Sequence, residues 1–146
     1  MKRFILSLAV SILLIGQSFA NEASIPETVM ASFQTRFQNA QSITWSDTKD
    51  HYTVRFSLNA QPYCAFYAYD GSFIALSRQI SVTQLPLLMQ ESLQKQYKNY
   101  TVFSVLELQE ENTVSYYVSM ENAKTTLIVK TGSCPQWTEF MKTKKK

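Results

Sequence analysis

The sequence predicts an α+β fold of two tandem units. Each unit is a helix followed by an antiparallel meander, with the helices packed on one face of the sheet. Three observations carry this expectation. An apolar stripe at helical spacing occurs twice, about sixty residues apart; runs alternating with a period of two follow each stripe; and turn residues separate those runs. Ile25-Pro26 returns as Leu85-Pro86, Phe33 as Leu93, Phe37 as Tyr97, and the Tyr52, Val54, Phe56 alternation as Tyr116, Val118, Met120. The expected units run over 24–78 and 83–137 within one domain, 21–137.

In the first unit, Val29/Met30, Phe33 and Phe37 mark one side of a helix over 26–38. Pro26 is tolerated in a first turn, where amides lack helical acceptors. Ser24 and Glu27 offer a capping box, in competition with a cap at Ile25. Ser42 to Ser46 supplies a first strand. Tyr52, Val54, Phe56 and Leu58 then face one way, and His51, Thr53, Arg55 and Ser57 the other. Asn59-Ala60-Gln61-Pro62 turns the chain into a strand over 63–69, and Asp70-Gly71 is a strong hairpin signal before 72–77. The second unit repeats the order: a helix over 85–97 burying Leu85, Leu88/Met89, Leu93 and Tyr97, then strands over 101–109, 114–120 and 125–130. A last strand follows Gly132, and Pro135 makes it an edge or a broken strand. The stretch over 138–146, which ends in KTKKK, reads as a basic, disordered tail.

The amino end reads as a targeting signal. Met1-Lys2-Arg3 is followed by an uncharged run from Phe4 to Ile15 and by small residues at Ser18 and Ala20. Cleavage near Ala20 would send the chain to the periplasm or outside the cell, with no later membrane span. The formal charge of +3 comes from the ends. Without Lys2 and Arg3 the basic side chains number twelve against eleven acidic ones, and Asn21 to Met141 is net −3. Scattered basic residues do not make a nucleic-acid surface.

No catalytic constellation is visible, so no enzyme activity is expected. His51 is the only imidazole, and the alternation sets it opposite Cys64. Phosphate loop, dinucleotide glycines, Cys-x-x-Cys and calcium-loop spacing are all missing, so no metal or cofactor is expected. Two cysteines in an exported chain suggest a Cys64–Cys134 disulfide, with two separate buried thiols as the alternative. If Cys64, Phe66 and Ala68 face the helix, then Tyr63, Tyr67 and Tyr69 point to the open face, joined by Tyr117 and Arg55. Tyrosine supplies broad, rigid contact area and a hydroxyl, which suits a binding surface.

The stretches IPETVMASFQTRFQNAQSITW, HYTVRFSLNAQPYCAFYAYDG and LPLLMQESLQKQYKNY resemble the repeated unit of the exported PepSY-like family related in fold to the β-lactamase inhibitor protein. Val105 stands where that unit has its second Trp, and Thr131 replaces the Asp before Gly132. The resemblance implies an exported, non-enzymatic binding module, in some cases an inhibitor, whose partner is a protein or peptide. A cell-envelope small-ligand or glycan binder and a structural or maturation protein are the alternatives.

Overall fold

The computed structural model describes residues 24–132 and 134–145. The targeting segment expected over 1–20 lies outside them. Helix α1 (Glu27–Arg36) precedes β1 (Gln41–Asp47), β2 (Tyr52–Leu58), β3 (Gln61–Tyr67) and β4 (Phe73–Ile80). A 3-10 turn (Val82–Gln84) leads to α2 (Leu87–Gln96), followed by β5 (Thr101–Gln109), β6 (Val114–Glu121), β7 (Thr125–Thr131) and β8 (Thr138–Lys144). All eight strands form one antiparallel sheet in the order β1 to β8.

This corrects the expected α+β fold of two tandem helix-plus-meander units. The molecule is mainly one continuous sheet carrying two ten-residue helices. β4 and β5, which the expectation set in separate units, are hydrogen-bonded neighbours from Leu76–Gln109 to Ile80–Val105. The Arg78 guanidinium and the Glu107 carboxylate close that seam with Nε–Oε1 at 2.7 Å and Nη2–Oε2 at 3.3 Å. Pairing β4 with β5 satisfies two rows of backbone groups that separate sheets would leave as edges.

Each helix starts on a proline. The Pro26 carbonyl accepts the amides of Val29 and Met30, and the Pro86 carbonyl those of Met89 and Gln90. Neither helix has a side-chain cap, so the Ser24–Glu27 box does not form. The capping box of this chain instead closes the 3-10 turn, between Ser81 and Gln84. Four residues separate Val29 from Phe33 and Met89 from Leu93, which stacks each pair on one helix face. Val29 and Phe33 pack on Tyr52, Val54, Phe56, Ala65 and Tyr67. Met89 and Leu93 pack on Val105, Val118, Met120, Leu127 and Val129. Leu88, expected in the stripe, is exposed, and Phe37 is only half-buried.

Strand register fixes which side chains share a face. Asn59 and Ala60, at φ 50° and 63°, form a two-residue hairpin turn that pairs Leu58 with Gln61, so Gln61 and Pro62 belong to β3 and not to the turn. Residues 138–144 are a paired strand, where a disordered tail was expected. Phe140 packs its ring edge-on to Tyr117 at 5.3 Å, and Lys142 and Lys144 suit an exposed edge.

A helix-free sheet face as candidate site

Both helices lie on the face that carries Val54 and Val118, leaving the other face without a helix among the described residues. By register the helix-free face carries Arg55 opposite Cys64, Thr53 opposite Phe66, and Cys64 opposite Ser77. Further along lie Gln79 opposite Leu106, Leu106 opposite Tyr117, and Tyr117 opposite Lys130.

This face is packed, not wet. Phe66, Ala75, Leu108, Tyr117 and Ile128 form one buried cluster drawn from five strands, and Phe140 of β8 packs against it. Ser77, Ser115 and Ser119 are buried between the larger groups. With no helix above them, these side chains cover one another, as a twisted and bulged antiparallel sheet permits. Bulges interrupt the register in β1, at β3–β4, in β5 and at β7–β8.

Of the tyrosines expected here, only Tyr117 is on this face. It is buried, its ring lies 5.1 Å from the Lys130 ammonium, and its hydroxyl has no hydrogen-bond partner among the described residues. Tyr63 lies on the helix-covered face, stacked on Phe56 at 5.8 Å. Tyr67 is wholly buried in the α1 core beside Trp45, Phe33 and Phe73. Burial pushes its phenol up to about 12, with the Arg36 charge pulling the other way. Tyr69 belongs to the turn after β3, where its hydroxyl donates to Asp47 Oδ1 at 3.2 Å and to the Thr48 carbonyl. The expected facing of β3 was therefore inverted. Paired antiparallel residues share a face, so Phe56 opposite Tyr63 puts Tyr63, Ala65 and Tyr67 under α1. Phe66, Leu106, Leu108, Ser77 and Lys130 are the residues that sequence reasoning left out.

Arg55 is exposed, as a binding residue must be. The two cysteines are free thiols, against the expected bridge: Cys64 is mid-strand on the helix-free face, and Cys134 is exposed in the loop after β7. Burial pushes the Cys64 thiol up to about 11, opposed by the nearby Arg55 guanidinium and a hydrogen bond with Ser77. His51 is buried with its ring 5.5 Å from Phe66, so it shares the helix-free face with Cys64, contrary to the expected opposition. His51 is still four residue steps along the chain from Arg55, the partner of Cys64. At about 3.3 Å per residue that is roughly 13 Å, too far for a nucleophile–base pair. Among the described residues no group of three or more His, Cys, Asp or Glu side chains could hold a metal ion. No helix there is long and apolar enough to cross a membrane.

No family model matches the chain, and no curated protein matches it. Solved structures do. A DUF2874 family protein from Bacteroides uniformis is similar at 14% identity with a TM-score of 0.71, over 82% of this chain and 88% of that one. A candidate periplasmic protein from Bacteroides eggerthii is similar at 12% identity and a TM-score of 0.72, over 84% and 90%. A BLIP-like protein from Bacteroides fragilis is similar at 14% identity and a TM-score of 0.67, over 85% and 90%. At these identities the likeness establishes a shared BLIP-like fold. It does not extend to the PepSY-like membership that the sequence resemblance implied.

Proposed function

We propose that this protein is an exported binding module that holds a protein partner on the helix-free sheet face, without chemistry. The observation that carries this reading is the state of that face. Its buried side chains are already packed into a fixed surface, with Arg55 and Gln79 exposed around them. A prepacked surface loses little side-chain entropy on binding, and that lost entropy is a main cost of association. The BLIP-like fold, the candidate periplasmic neighbour and the amino-terminal signal pattern support the exported setting.

Photo-crosslinking tests the reading. A benzophenone side chain placed at Gln79 or Ser104, on the helix-free face, should trap one discrete protein in the cell envelope of an expressing bacterium. The same probe at Gln94 or Lys95, on the exposed side of α2, should not. Adducts from α2 alone, or the same adducts from all four positions, would reject the face as the site.

One observation favours a second reading, a small-ligand binder. A groove of about 380 Å³ runs beside α2 and is lined by Leu93, Tyr97, Tyr100 and Val102 with Gln90 and Lys98. Its size suits a small ligand. Saturable binding of an envelope metabolite, weakened by Gln94→Trp at the exposed rim of the groove with the fold intact, would move the function to this groove.

A further inference from the structure

We propose that the partner segment held on the helix-free face is acidic, with carboxylates roughly 24 Å apart that meet Arg55 at one end and Lys130 at the other. This rests on the proposed protein-binding role of the same face and specifies the chemistry of what lies on it.

The charge distribution supplies the argument. On the helix-covered side, cations meet carboxylates of this chain: Arg78 pairs with Glu107 at 2.7 Å and Lys142 with Glu139 at 3.5 Å. On the helix-free face the strands place Arg55 on β2 and Lys130 on β7. The one strand carboxylate that register assigns to that face is Glu121, opposite Thr126, and it is held by Lys145 at 2.8 Å. Arg55 and Lys130 make no ion pair among the described residues. Arg55 stands over Cys64, and Lys130 lies over the Tyr117 ring. The face therefore presents two uncompensated positive charges.

Between them, on β3 to β6, the rows of Arg55 and Lys130 carry no charged side chain: Cys64, Ser77, Leu108 and Ser115 lie in one, and Gln79, Leu106 and Tyr117 in the other. β2 and β7 are five strand spacings apart, or roughly 24 Å along the sheet at about 4.8 Å each. An extended segment covers that span in about seven residues. Carboxylates also occur nearby, at exposed Asp70 and Glu111 and half-buried Glu110, but all three lie in turns at one end of the sheet. They repel acid at that rim and leave the strand cations Arg55 and Lys130 as the place for it.

Fluorescence anisotropy provides the test. The probe is a labelled peptide with paired glutamates flanking a neutral Ser/Gly/Tyr centre about seven residues long, beside versions with glutamine or lysine for glutamate. The glutamate peptide should bind best, and its affinity should fall several-fold as salt rises from about 20 to 150 mM, because the Debye length shortens to about 8 Å. Arg55→Gln/Lys130→Gln should weaken it about tenfold or more, whereas Arg55→Lys/Lys130→Arg and the rim variant Lys124→Gln should not. Thermal melts establish that each variant is folded. Equal affinity for the glutamine peptide, no saturable binding of the glutamate peptide, or indifference to the double variant would overturn the acidic assignment. If Gln79 and Ser104 still crosslink one protein in that case, the face remains the site and only the charge of its partner is wrong.

Discussion

Changing Tyr117 to Phe removes one oxygen from the centre of the helix-free face. That hydroxyl is buried without a hydrogen-bond partner among the described residues, while the ring is fixed edge-on to Phe140 and under Lys130. A buried polar group lacking a partner costs about 1–3 kcal/mol of desolvation. Phe keeps the ring contacts and gives up that cost. The expected result is a gain of about 1 kcal/mol, allowing for a slightly weaker cation–π contact once the ring loses its hydroxyl. For a domain of about 120 residues, with an unfolding entropy near 2.1 cal/mol/K per residue, this raises Tm by roughly 4 °C. Paired thermal and denaturant melts at pH 7 measure it, with an unchanged m-value showing that the folded state is the same. A loss of more than about 0.5 kcal/mol would mean that the hydroxyl has a partner and that the packing inferred for this face is wrong. The variant also separates stability from function. If the hydroxyl is kept for a bound segment, Tyr117→Phe will be more stable and yet bind the captured protein less tightly.

Three further outcomes follow from other parts of the chain. Phe33→Ala should cost about 4 kcal/mol, from roughly 2 in transfer and roughly 2.4 for a retained cavity near 100 Å³, while exposed Leu88→Ala should stay within about 0.5; a loss under about 1.5 for Phe33 in denaturant melts would refute the α1 packing. Thiol counting on denatured, unreduced protein should find two free thiols, and in the native state Cys134 should label first. At pH 8 a thiol pushed up to about 11 is about 0.1% thiolate, so half-buried Cys64 should label at least about a hundredfold more slowly in the native state than it does once the chain is unfolded. Burial lowers the His51 pKa, opposed by Asp50, so the folded state binds fewer protons than the unfolded one just below pH 6.5. Stability should therefore fall as pH drops from 7 to 5.5, and His51→Gln should flatten that slope in thermal melts; an equal slope in both proteins would remove His51 as its source.

Strand positions were legible because β2 alternates and Tyr116, Val118 and Met120 repeat its apolar spacing in β6, and Thr101–Gln109 is bounded as its pattern indicated. The facing of β3 was harder to read. Tyr63, Cys64, Ala65, Phe66 and Tyr67 are apolar or aromatic on both faces, so periodicity does not choose between them. The hairpin does choose. Whether Leu58 pairs with Gln61 across a two-residue turn or with Tyr63 across a four-residue one, Tyr63 falls on the face of Phe56. Lys130 was overlooked because a lysine near a strand end looks like solvent, and only the register with Tyr117 shows which face it is on. The β4–β5 pairing joins segments separated by a helix, and no local pattern encodes that junction.

A sheet protein can bind through an edge or through a face, and the sequence of this chain weighs against its edges. The β1 edge is broken by a bulge between Gln41 and Thr44, with Ser42 held at φ 54°. A strand added there would meet a backbone that has lost its regular spacing of donors and acceptors. The β8 edge carries Lys142 and Lys144, whose charges oppose the close approach of a further strand. One face of the sheet is already committed to Val29, Phe33, Met89 and Leu93 of the helices. The helix-free face is different in kind: Phe66 against His51, Tyr117 against Phe140, and serines filled in between form a surface ordered before anything binds. Because its side chains are fixed by each other, binding energy there goes into contact and not into ordering, and specificity passes to the two charges without an ion pair among the described residues, exposed Arg55 and half-buried Lys130.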